Sequence, residues 1–173
     1  MIGFIGKIGC VGALAFALLM AGPSGPLAAK DILGPVTGKP MPRYIAIKAK
    51  KANARRGPSK KHKIDWVFQR RNLPVQVIAE FGHWRRVVDS DGEGGWIHYA
   101  LLTGARHALV TEHHLALRYE PIRTSQSKAT LEKGVVARIE ECRMDWCEIR
   151  IGDHKGWVRK AGIWGVDDAE VFD

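Results

Sequence analysis

The chain has 173 residues, room for one ordinary domain or two small ones. With 46% hydrophobic and 26% charged residues and no long polar tract, its composition excludes wholesale disorder. Lysine and arginine number 27 against 18 aspartates and glutamates, a formal charge of +9 that points to acidic partners or surfaces. Three cysteines are too few for a disulfide scaffold and too scattered for a zinc site.

In chain order, residues 1–29 read as an address. Met1 to Lys7 supplies one positive charge, and Ile8 to Met20 is uncharged. Gly22, Pro23, Gly25 and Pro26 break any helix, and Leu27-Ala28-Ala29 offers small residues for cleavage. This is the three-part form of a secretory signal peptide, and it predicts a mature N-terminus near Lys30. The competing reading, a membrane anchor, needs about 20 apolar residues, more than this run supplies. Cys10 precedes the apolar stretch, the reverse of the order a lipoprotein cysteine requires. Export makes the mature chain periplasmic or secreted, with no transmembrane span after cleavage, and lets disulfides persist.

Residues 30–42 follow as an expected linker. Residues 43–71 then hold eleven basic residues against one acid, Asp65, whereas residues 105–173 hold eleven basic and twelve acidic ones. The charge therefore sits at one end of the mature chain.

The chain repeats itself. A shift of 61 positions lays Gly95-Trp96-Ile97 on Gly156-Trp157-Val158, Ala100 on Ala161 and Gly104 on Gly165. A shift of 62 matches Trp84 with Trp146 and Val77 with Ile139, and a shift of 63 matches Arg55 with Arg118 and Pro58 with Pro121. The drifts are small differences in loop length, so the mature chain is a tandem duplication.

Each unit reads as β. Leu73 to Ala79 alternates apolar and polar, Trp84 to Val88 follows a turn at Phe81-Gly82-His83, and Trp96 to Tyr99 follows the turn residues Asp89 to Gly95. The second unit repeats this with Val135 to Glu141, Trp146 to Ile151 and Gly156 to Lys160. Several short strands closed by tight turns predict a small barrel, and no stretch beyond residue 30 sustains a helical period.

The run Ala52-Asn53-Ala54-Arg55-Arg56-Gly57-Pro58-Ser59, the apolar strand after it, Trp84, Asp91-Gly92 and Gly95-Trp96-Ile97 resemble the bacterial SH3-like domain. The likeness covers roughly 43–104 and again 107–165, and is greatest to exported double-repeat proteins ending in a short acidic tail. It implies an all-β chain of two tandem SH3-like β-barrels, with a signal peptide at 1–29, a linker at 30–42, domains at 43–104 and 105–165, and an acidic tail at 166–173. It further implies a cell-envelope binding module, often for peptidoglycan or its peptides, without catalysis. The second unit departs from the pattern at Ala116 and Glu120.

The recurring Trp84, Trp96, Trp146 and Trp157 are expected in the cores, which in small barrels need large side chains. Trp66, Tyr99, Tyr119 and Trp164 have no aromatic counterpart in the other unit and are candidates for a ligand-facing surface. The seven histidines lack metal-ligand spacing, and no nucleophile with a base or phosphate-cradling glycine run stands out. No enzyme, metal or cofactor is expected.

Cys142 and Cys147 flank four residues, so a hairpin sets them opposite each other and predicts a disulfide. In SH3-like barrels the long loop between the first two strands borders the ligand groove. Here that loop spans Arg55 to Asp65. Arg55, Arg56, Lys60 and Lys61, with Trp66 and Tyr99, are therefore the expected ligand-binding set of the first unit; the second mainly stabilises or orients it. Three functions stay open. They are a module for peptidoglycan or its peptides, a binder of acidic envelope polymer through residues 43–71, and an adaptor docking a periplasmic partner protein. Nucleic acid is the least favoured partner.

Overall fold

The computed structural model describes Gly3 and residues 32–173. The signal-peptide reading, its cleavage site and Cys10 lie outside the described residues. Among the described residues no helix is long and apolar enough to cross a membrane; the non-strand elements include two single 3-10 turns, Tyr99–Leu101 and Lys160–Gly162.

A small hairpin comes first, β1 (Ile32–Leu33) with β2 (Pro40–Met41). The first sheet comprises β3 (Arg43–Ile47), β4 (Ala52–Arg55), β5 (Ile64–Phe68), β6 (Pro74–Phe81), β7 (Trp84–Val88), β8 (Gly94–His98) and β9 (Leu102–Thr103), ordered β5-β4-β8-β7-β6-β3-β9. The second comprises β10 (His107–Val110), β11 (Leu115–Arg118), β12 (Ser127–Leu131), β13 (Val136–Cys142), β14 (Trp146–Ile151), β15 (His154–Arg159) and β16 (Ile163–Trp164), ordered β12-β11-β15-β14-β13-β10-β16. The two orders are the same, so the sequence duplication is a duplication of topology.

The sheets curl around their cores without closing into hydrogen-bonded barrels. The end strands β5 and β9 do not pair with each other, nor do β12 and β16. Bulges supply the bend at matched places: between Val77 and Ala79 and between Ile139 and Glu141, and again between Ala54 and Arg55 and between Leu117 and Arg118. The first core gathers Ile47, Ala52, Ala54, Phe68, Val75, Val77, Val87 and Ile97, from both ends of the sheet and its middle.

These cores differ from expectation in one respect. They are mainly aliphatic, with Phe68 in the first; of the four recurrent tryptophans Trp146 and Trp157 are buried as expected, whereas Trp84 and Trp96 are not. The period of two decides it. Val87 and Ile97 point inward with no exposure, so their neighbours Trp84, Arg86 and Trp96 lie on the outer face. Trp84 and Trp96 are half-buried there, whereas Trp146 and Trp157 on the second sheet's outer face are buried, with the Arg143 guanidinium 4.7 Å from the Trp157 ring centroid.

Of the segment expected as a linker, residues 32–41 form a hairpin docked on the first domain. The turn between β1 and β2 presents the Val36 and Thr37 amides and the Thr37 hydroxyl to the buried Glu80 carboxylate at 3.1, 2.9 and 2.7 Å. Glu80 also pairs with Arg43 (2.6 Å) and with Arg85 (3.4 Å), its partner across β6 and β7. At the matching position of the second sheet, Cys142 and Cys147 oppose each other with Cα atoms 4.1 Å apart and form a disulfide. The C-terminal segment docks at this second pair. Cys142 donates to the Phe172 carbonyl (2.7 Å) and accepts from its amide (3.1 Å), while Arg106 grips the Glu170 carboxylate.

The two domains also touch. Tyr44 meets Trp164 edge-on at 5.1 Å, and Arg106 donates to the Gly165 carbonyl (2.9 Å) while standing 5.9 Å from the Tyr44 ring centroid. Trp164, a candidate for ligand contact, is therefore spent on domain docking.

Candidate functional site

The long β4–β5 loop of the first domain is braced by its own backbone. Arg56 and Lys63 are bonded across it (3.1 Å), the Arg55 guanidinium donates to the His62 carbonyl (2.7 Å), and His62 lies over Gly57. A Cβ at Gly57 would fall 2.5 Å from the His62 ring, an exposed side chain that would have to turn aside. Facing it, the β7–β8 turn is held by the Asp89 carboxylate, which accepts from the Asp91 and Glu93 amides at 3.0 and 2.9 Å. Gly95, at a φ of 141°, passes so near β4 that a Cβ would lie 2.7 Å from the Arg55 carbonyl oxygen.

Between loop and turn lies an open groove of about 400 Å³, lined by Arg55, Arg56, Asp65, Arg86, Glu93 and Trp96 over a floor of Val88, Gly94 and Gly95. Register explains the grouping, because Trp96 is the cross-strand partner of both Arg55 and Arg86. Arg56 is paired with Asp65 at 2.9 Å. The groove thus offers three guanidinium groups, two carboxylates and one indole face, a lining suited to an acidic peptide.

Of the residues expected at the site, Arg55 and Arg56 line this groove. Lys60 and Lys61 sit at the exposed loop tip beyond it and make no ion pair among the described residues. Trp66 is 40% exposed on β5, edge-on to Phe68, and Tyr99 is in a different place altogether. The 3-10 turn after β8 carries Tyr99 away from the groove and stacks it on His98 at 5.0 Å, beside His83 at 5.6 Å. The residues that sequence reasoning missed are Arg86, Asp65, Glu93 and, as a groove wall, Trp96. The signal for Trp96 and Arg86 was their alternation with Ile97 and Val87.

The second domain's counterpart is a groove of about 390 Å³ with a different lining: Leu117, Tyr119, Lys128, Ala129, Asp153, His154 and Lys155, without a guanidinium. Tyr119 is 57% exposed there, yet the Lys128 ammonium stands 4.5 Å from its ring centroid and donates to the Lys155 carbonyl on the opposite wall at 2.8 Å. Glu148, which replaces Arg86, is paired with Lys155 at 2.6 Å.

Two tandem all-β units with equivalent grooves beside a long hairpin loop define a double SH3-like protein. The family model described as bacterial SH3 domain matches residues 48–104 and again 112–165, and the chain belongs to that family. No curated protein is matched by the sequence. Among solved structures, the chain is similar to NlpC2 from Trichomonas vaginalis (11% identity, TM-score 0.34, covering 72% of this chain and 48% of that one). It is also similar to NlpC1 from Trichomonas vaginalis (12% identity, TM-score 0.33, covering 80% and 51%). The chain spans about half the length of those structures.

Proposed function

We propose that the protein is a non-catalytic binding module of the bacterial cell envelope, and that the first domain's groove takes an acidic peptide strand such as a peptidoglycan stem peptide. The reading rests on one observation. The first domain's groove, about 400 Å³, is lined by Arg55, Arg56 and Arg86 beside a half-buried Trp96, whereas the second domain's, of about 390 Å³, has no guanidinium or indole in its lining, buries Trp157 and pairs Glu148 with Lys155. Carboxylates of the ligand meet Arg55, Arg56 and Arg86, and its apolar carbons meet Trp96. The aromatic supplies contact area at little entropic cost, and the guanidinium groups supply attraction at range.

A polyanion reading is favoured by a separate observation: Lys60, Lys61 and Lys63 project from the loop tip without ion pairs among the described residues. Salt separates the two. Exposed charge contacts are each worth at most about 1 kcal/mol and are screened within about 8 Å at physiological salt. Co-sedimentation with purified peptidoglycan sacculi that survives a tenfold rise in salt supports the peptide groove; complete loss with salt supports the polyanion reading; no sedimentation at low salt refutes both.

A further inference from the structure

A second cavity, a cleft of about 680 Å³, lies between the two domains. Lys48, Arg70 and Arg71 line its first-domain side, and Arg138 and Arg150 its second-domain side, with the buried His107 between them. No carboxylate lines it. Glu140 lies beside the second wall's arginines, 3.0 Å from Arg150 and 3.6 Å from Arg138, and offsets part of their charge. Lys48 and Arg71 make no ion pair among the described residues.

This placement opposes domain docking. Like charges on two facing walls repel, and a concave surface lined by one sign of charge focuses its field, although all five side chains are exposed to solvent. The walls are nevertheless held together, by Tyr44 on Trp164 and by Arg70, whose guanidinium donates to the Gly134 carbonyl of the other domain. Asn72, in left-handed backbone at a φ of 63°, fixes the turn that presents Arg70 and Arg71, its amide donating to Ile47 at 2.8 Å. Cations lining both walls of one cleft suit a ligand that carries several negative charges, and guanidinium forks match phosphate oxygens bidentately.

We infer that the inter-domain cleft is a binding site for a ligand bearing two or more phosphate groups, gripped from both domains at once. It is distinct from the peptide groove, with which it shares no residue. Binding converts the repulsion between the walls into bridging attraction, so it stiffens the pair of domains.

The test uses inorganic tripolyphosphate, titrated calorimetrically into the protein and mapped by amide chemical shifts. Lys48→Glu with Arg71→Glu alters the first wall, Arg138→Gln the second, and Arg55→Glu with Arg56→Glu is a control equal in charge to the first. Each wall variant is expected to weaken binding at least tenfold and the control less than threefold, with shifts centred on Asn72 and Gly152. Equal loss in the control, loss from one wall only, shifts centred elsewhere, or no binding by the unaltered protein would overturn the site. Vesicles containing phosphatidylglycerol identify the source: retention that falls with the wall variants assigns a lipid headgroup, and absence of retention beside tripolyphosphate binding assigns a free phosphate ligand.

Discussion

Replacing Glu80 by Gln tests how the first domain holds its N-terminal hairpin. The Glu80 side chain is fully buried, and five groups converge on it: the Val36 and Thr37 amides, the Thr37 hydroxyl, Arg43 and Arg85. Burial acts to raise its pKa, but the hydrogen bonds from Thr37, Arg43 and Val36 outweigh it and bring the group from 4.5 down to about 2. A folded pKa below the unfolded one means stability that is complete above the ordinary value and lost as pH falls toward the folded one. The depression corresponds to about 3 kcal/mol at neutral pH, of which about 2 kcal/mol is gone by pH 3. Glu80→Gln should therefore cost about 3 kcal/mol at pH 7, in the range for breaking one partner of a buried ion pair. Urea unfolding read by residue-resolved amide exchange separates the two domains and is run at pH 7 and pH 3. The wild type should lose about 2 kcal/mol more first-domain stability on acidification than the variant. A variant as stable as wild type at pH 7, or an equal acid loss in both, would refute the reasoning.

Two further outcomes follow from the same pair of positions and from the groove wall. Reducing the Cys142–Cys147 disulfide, which closes a short loop, should lower second-domain stability by about 2 kcal/mol and leave the first unchanged; thiol titration of the denatured, unreduced chain beginning at Lys30 should find no free thiol, and two would contradict the bond. Gly95→Ala should destabilise the first domain by about 1–3 kcal/mol, because an added Cβ meets the Arg55 carbonyl in a backbone region that L-residues avoid; a thermal midpoint within a degree of wild type would show that the strand gives way freely.

The duplication was legible because Gly95-Trp96 and Gly156-Trp157 keep their spacing, and the strands because Leu73 to Ala79 alternates. The cysteine pair was legible for the same reason: in a hairpin, a four-residue connection decides which residues oppose. One further equivalence was present and went unread. A shift of 62 that lays Trp84 on Trp146 also lays Glu80 on Cys142 and Arg85 on Cys147, so a buried ion pair and a disulfide occupy the same cross-strand position. Of the four recurrent tryptophans, Trp146 and Trp157 are buried as their size suggested, but the alternation with Val87 and Ile97 sets Trp84 and Trp96 on the outer face. Tyr99 misled because a 3-10 turn, invisible in the period of two, carries it away from the groove. The docking of residues 32–41 and the Tyr44–Trp164 contact were not legible at all, since both depend on partners far apart in sequence with no pattern joining them.

The central claim is that the first domain's groove binds and the second's does not. Titrating the isotopically labelled protein with a soluble peptidoglycan stem peptide, and following its amide, guanidinium and indole resonances, tests it directly. Saturable shifts are expected at Arg55, Arg56, Arg86 and the Trp96 indole, abolished when Arg55, Arg56, Lys60 and Lys61 are all changed to Glu, with Tyr119, Lys128 and Trp157 unmoved. Shifts centred on Tyr119 and Lys128, or equal shifts in both domains that survive the charge reversal, would contradict it.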